Sequence, residues 1–150
     1  MTELATGRVR VAAATGPEVG SSATVDLVVR EADCASALKL SDDPRDNFPA
    51  VFATTRMIAL MELAGARILQ SLLQPGEMSV GAHVDVSHIA ATPIGAKVTA
   101  TATYRGRDGK LFVFDVIAHD PAGEIGRGAH KRAIVSEDRL LAGAAKRSSV

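Results

Sequence analysis

The chain contains no tryptophan, one tyrosine, four phenylalanines and a single cysteine. So few aromatic rings leave the core to be built from Val, Ile, Leu, Met and Ala. Cys34 has no partner for an internal disulfide, which points to a reducing, cytoplasmic setting and to a small apolar role for the residue itself. Neither sign of charge is in excess, since 17 Lys and Arg balance 17 Asp and Glu. That balance excludes a general electrostatic pull toward nucleic acid or anionic membrane, while leaving room for a local basic patch around a phosphorylated ligand. No apolar run is long enough to cross a bilayer. The opening MTELATGRVRV lacks the apolar centre expected of a signal peptide. What is present is 150 residues at 47% hydrophobic composition. A single domain of that length buries roughly 70% of its unfolded surface without metal or disulfide.

Hydrophobic spacing sets out the elements. Residues 1–18 show no period, and 23–30 alternate as a strand. Residues 31–49 hold Pro44 and Pro49 and predict a loop or short helical pieces, of the kind that often covers a binding site. Met57, Met61, Ala64, Ile68 and Leu72 form one stripe along a helix predicted over 53–73. Ile58, Leu60, Leu63 and Leu69 widen the stripe until the helix must be wrapped by other structure. Gln74, Pro75 and Gly76 stop it. Period two follows, with Val80, Ala82, Val84, Val86 and His88 on the face expected to meet the helix. Gly81, His83, Asp85 and Ser87 fall on the other face. Strands over 96–104, 111–119 and 124–136 come next, joined by turns at Asp108-Gly109 and at 120–123. Residues 137–150 predict a short helix around Leu140 and Leu141 that runs into a partly disordered tail. The result is an α+β domain over 1–136, an antiparallel sheet wrapped around one long helix, which resembles the hotdog fold. An open sheet edge and leftover apolar helix surface favour a homodimer or a larger assembly of the same chain.

Five residues are candidates for chemistry. Glu62 lies in the middle of the most apolar helix, where an ionised carboxylate must be paired, protonated or functional. Its alternative is a polar helix edge, with a salt bridge to Arg56 or Arg67. His88 shares a face with valines and reads either as a satisfied core histidine or as a reactive one. A metal held by the run HVDVSH is not expected, because His83 and Asp85 point away from His88. His119 and His130 are expected at the surface. Thr54 and Thr55 stand where threonine caps a helix, and where backbone N–H groups also bind an oxyanion. Arg132 alternates with apolar neighbours and suits either a solvated face or a phosphate.

Three stretches carry a resemblance: FPAVFATTRMIALMELAGARI, LLQPGEMSVGAHVDVSHIAATPIGAKVTATA and AHDPAGEIGRGAHKRAIV. Together they resemble the fluoroacetyl-CoA thioesterase family over roughly residues 48–136. The resemblance implies a thioesterase acting on a short or small acyl-CoA, with no cofactor beyond the coenzyme A of the substrate. It matches Thr54, Glu62 and His88 to catalytic positions, Gly81 to the acyl site, and Arg132 to a position near bound coenzyme A. Phe48 is matched to a substrate lid, but Arg45 stands three residues earlier where a second phenylalanine is expected. The resemblance therefore leaves the acyl group open. Thr54 and Glu62 are separated by about 12 Å of helical rise, so a common site is expected where two antiparallel helices meet across a dimer axis. Lys131 and Arg132 are expected at its mouth. The alternatives are an acyl-CoA sensor that binds without cleaving, and a hotdog hydratase or dehydratase, whose loop-helix Asp and His signature is missing.

Overall fold

The computed structural model describes residues 16–149, so the expectation for the first fifteen residues lies outside the described part. The chain runs from β1 (Ser22–Val28) through two short 3-10 turns, Glu31–Asp33 and Ala35–Ala37, into helix α1 (Thr54–Leu69). Four strands follow: β2 (Glu77–His88), β3 (Lys97–Asp108), β4 (Leu111–Asp120) and β5 (Gly123–Ser136). They form one five-stranded sheet in the order β1-β3-β4-β5-β2, with antiparallel pairing throughout. The sheet curls around α1 in the hotdog manner expected from the sequence.

Strict alternation places the core. Val98, Ala100, Ala102 and Tyr104 of β3 are buried together with Phe112, Phe114, Val116 and Ala118 of β4. Against them α1 buries Met57, Leu60, Met61, Ala64, Gly65 and Leu69. Small alanines at the strand centres let the helix approach closely, and sulfur-containing side chains fill the irregular space between.

Two buried polar contacts fix the segment that enters α1. Asp33 is buried and accepts two side-chain hydrogen bonds from Arg30, with Arg56 of α1 3.8 Å away. Its backbone carbonyl accepts from Ala53 N–H, directly before the helix. On the other side Thr92, also buried, donates to Asp120 Oδ2 at 2.8 Å, and its carbonyl accepts from Phe52 N–H. The chain before α1 is thereby held between two other segments like a short strand.

The structure differs from the sequence reading in two elements. In β2, Gly81 pairs with Arg132 and His83 with Lys131, so Ala82 is the extra residue of a bulge. The bulge reverses the face of everything before it. Gly81 now looks at the helix and Val80 away from it, whereas Val84, Val86 and His88 keep the expected side. The C-terminal segment forms α2, a twelve-residue helix (Glu137–Ser148) whose N-cap Ser136 accepts from Arg139 N–H at 3.3 Å. Among the described residues, no helix is long and apolar enough to cross a membrane.

Candidate active site

Chemically competent side chains gather at two places along α1. The first is its amino-terminal end. Thr54 does not cap the helix; the N-cap is Ala53, with no side-chain cap bond. The Thr54 hydroxyl is instead 2.8 Å from Nδ1 of His88, the last residue of β2. His88 Nε2 is enclosed and meets no polar partner among the described residues. Beside this pair lies a pocket of about 370 Å³, lined by Ala35, Pro49, Val51, Phe52, Ala53, Ile89, Ala90 and Ala91. Phe48 stands next to Pro49 on the chain and is 56% exposed. Arg45, where a second lid phenylalanine is expected, is paired with Asp43 in solvent.

The second place is two helical turns further on. Glu62, its side chain 37% exposed, is paired with neither Arg56 nor Arg67. Its Oε1 lies 3.3 Å from Arg132 Nη1 of β5 and 3.9 Å from His130 Nε2. Gly81 makes room for it, because a Cβ there would overlap Glu62 Oε1. The expectation that Arg132 stands at a site mouth is corrected. Pairing with Gly81 puts it on the helix-covered face, and it is only 7% exposed. Its Nε donates to Ser79 Oγ and its Nη2 to the Ser79 carbonyl, both at 3.0 Å. Burial pulls the guanidinium below its ordinary value, and the Glu62 carboxylate opposes that shift. Lys131 points outward to Asp108 at 2.8 Å.

His130 is also a correction: it is buried, not a surface residue. Its Nδ1 lies 2.8 Å from the His83 carbonyl and its Nε2 3.1 Å from Arg132 Nη1. Desolvation is the main reason its imidazole is held below the ordinary histidine value; Arg132 pushes the same way, while the His83 carbonyl and Glu62 oppose it. The sequence carried a signal for this position. His130 is two residues from Arg132 on one strand, so a site that includes one includes the other.

One carboxylate beside a buried guanidinium, one Thr–His pair and an apolar pocket make a set suited to acyl transfer with water as acceptor. On this fold they define the hotdog class of the thioesterase superfamily. Comparison with known proteins agrees. A solved structure of a fluoroacetyl-CoA thioesterase superposes with a TM-score of 0.82 at 39% identity, covering 87% of this chain and 97% of that one. A thioesterase superfamily member from Thermus thermophilus superposes at 0.76 with 25% identity, covering 88% and 93%. The fluoroacetyl-CoA thioesterase of Streptantibioticus cattleyicolor is 40% identical over 127 residues, which is 85% of this chain and 91% of that protein. The model of the fluoroacetyl-CoA-specific thioesterase family matches residues 29–138. The chain belongs to that family.

Proposed function

We propose that the protein hydrolyses a short or small acyl-CoA thioester to the free acid and CoA, working in the cytoplasm as a homodimer. The observation that carries this reading is the Thr54–His88 contact at one end of α1, with Glu62 held by Arg132 further along the same helix. About 12 Å of rise separates Thr54 from Glu62, so each chain supplies two half-sites. An antiparallel second copy of α1 brings Thr54 and His88 of one subunit up to the partner subunit's Glu62. The free edge of β2 and the 41% exposure of both Leu63 and Val84 support such a contact.

In the assembled site Glu62 takes a proton from water as the water adds to the thioester carbon. Alternatively, its carboxylate adds directly and water then opens the anhydride. The N–H groups of Thr54 and Thr55 lie ahead of the first helical bonds, which run from Arg56 and Met57 to the Ala53 carbonyl, and receive the developing oxyanion. Such donors are worth about 3–4 kcal/mol each. The carbon–sulfur bond breaks and the proton taken up by Glu62 leaves on the CoA thiolate, while His88, through Nδ1, holds the Thr54 hydroxyl in place. Gly81 and Phe48 bound the acyl group, and Arg132 acts on it from behind Glu62. Arg45 removes one wall of the expected lid, so the acyl group is not restricted to fluoroacetyl.

Glu62→Gln tests this reading. The variant should fold with wild-type circular dichroism and lose about 100-fold or more of the CoA release. The substrates are acetyl, haloacetyl, propionyl, phenylacetyl and longer acyl-CoA esters. Wild-type release by Glu62→Gln removes Glu62 from the chemistry. Tight binding without release by the unmodified protein makes it an acyl-CoA sensor instead.

A further inference from the structure

The hydrogen atoms around His130 are determined by what its two nitrogens face. Nδ1 lies 2.8 Å from the His83 carbonyl, which only accepts, so Nδ1 carries the proton. Nε2 lies 3.1 Å from Arg132 Nη1, which only donates, so Nε2 is bare. The same Nη1 has a second hydrogen, and it reaches Glu62 Oε1 at 3.3 Å. A guanidinium is planar, so fixing one Nη1 hydrogen on His130 and one hydrogen each of Nε and Nη2 on Ser79 determines where the second Nη1 hydrogen points. The imidazole itself is enclosed. Phe114 stacks on it at 6.4 Å between centroids, and Cβ atoms on Gly65 and Gly81 would lie 3.5 and 3.3 Å from its carbons.

We propose that His130 is a positioning residue for the hydrolysis: as a neutral Nδ1–H imidazole it accepts from Arg132 and so aims the guanidinium at Glu62. A ring with hydrogen on Nε2 would set N–H against N–H and turn Arg132 away. The burial that keeps His130 below its ordinary value maintains the neutral form near neutral pH. The kinetic consequence rests on the thioesterase reading above, whereas the geometric one does not.

Two measurements test it. The first uses the unmodified protein with 15N-labelled histidine and arginine. His130 should show a protonated Nδ1 and a bare Nε2, and Arg132 should give distinct, slowly exchanging Nη–H signals. An Nε2-protonated His130 overturns the proposal whatever the enzyme does. The second compares His130→Phe, which fills the space but accepts nothing, with His130→Gln, whose Oε1 can accept. His130→Phe should lose the slow Arg132 signals and about tenfold to a hundredfold of kcat at nearly constant KM. His130→Gln should recover most of both. Unchanged Arg132 signals and kcat in a folded His130→Phe also overturn it. If the unmodified protein cleaves no acyl-CoA, the thioesterase reading fails while the spectroscopic arm still decides the role of His130.

Discussion

Gly81 and Glu62 face each other across the gap between β2 and α1 with no room for a side chain: a Cβ on Gly81 would overlap Glu62 Oε1 and come within 3.3 Å of His130 Cε1. The obstructing atom is the far end of a flexible side chain rather than backbone. Gly81→Ala should therefore change stability by no more than about 1 kcal/mol. The carboxylate has to move, and a displacement near 1 Å should lower kcat by about tenfold or more. Thermal unfolding and acyl-CoA turnover measured on the same sample check both halves. An Ala variant with wild-type kcat removes Gly81 from the determinants of the site.

Gly128 should behave oppositely. A Cβ there meets the Asp85 carbonyl oxygen and comes within 2.6 Å of Val86 Cα, which is backbone of the paired strand. Neither can yield without breaking the β2–β5 register. Gly128→Ala should cost about 3 kcal/mol or more, visible as a large fall in urea midpoint or as insoluble expression. A variant with an unchanged midpoint contradicts this.

The contrast between these glycines also shows what the sequence could and could not disclose. The stripe from Met57 to Ile68 and the alternation of Val98, Ala100, Ala102 and Tyr104 made the helix and the middle strands legible, because each face has one period. The resemblance singled out Thr54, Glu62 and His88; of these the structure brings Thr54 and His88 into contact and sets Glu62 beside Arg132. The bulge at Ala82 was not legible, since Val80, Ala82, Val84 and Val86 alternate without a break and the polarity pattern does not record a one-residue slip. His130 was misread for a related reason. The spacing on β5 ties His130 to the face of Arg132, but the room for its ring lies on another element, where a Cβ on Gly81 would come within 3.3 Å of it. Arg132 turns inward on the same face as His130, paired in register with Gly81.

Thr54→Ala separates positioning from stability at the start of α1. The Thr54 side chain makes no capping bond, and its contact is His88 Nδ1. Removing it should alter stability by less than about 0.5 kcal/mol while lowering turnover by about 100-fold. Thr54→Ser keeps the hydroxyl and should keep most of the rate. Equal losses in Ser and Ala variants would falsify a role for the hydroxyl.

Acid should weaken the fold in a window set by His130. Its folded value lies below the ordinary 6.5, mainly through burial. Between that lowered value and 6.5 the unfolded chain binds more protons than the folded one, so stability rises with pH. It is therefore lost as pH falls below about 6.5, and the loss is complete only beneath the folded value. Asp33, held low chiefly by its hydrogen bonds from Arg30, acts in the same direction but in the more acidic carboxylate range. Urea midpoints measured from about pH 7.5 down to about pH 5 should fall for the wild type and much less for His130→Gln. Parallel slopes for the two proteins place the acid sensitivity elsewhere.

Mixing two inactive variants tests whether the half-sites combine across subunits. In a Thr54→Ala subunit Glu62 is intact, and in a Glu62→Gln subunit Thr54 and His88 are intact. If each site takes Thr54 from one subunit and Glu62 from the other, a mixed dimer has one fully native site and one doubly altered site. Random reassortment makes about half the dimers mixed, so refolding equal amounts together should restore about a quarter of wild-type turnover. If both residues of a site come from one chain, every site in the mixture carries a substitution and nothing is restored. The measurement needs only that each variant alone is slow and that subunits exchange, which a tagged pull-down of the untagged variant verifies on the same mixture.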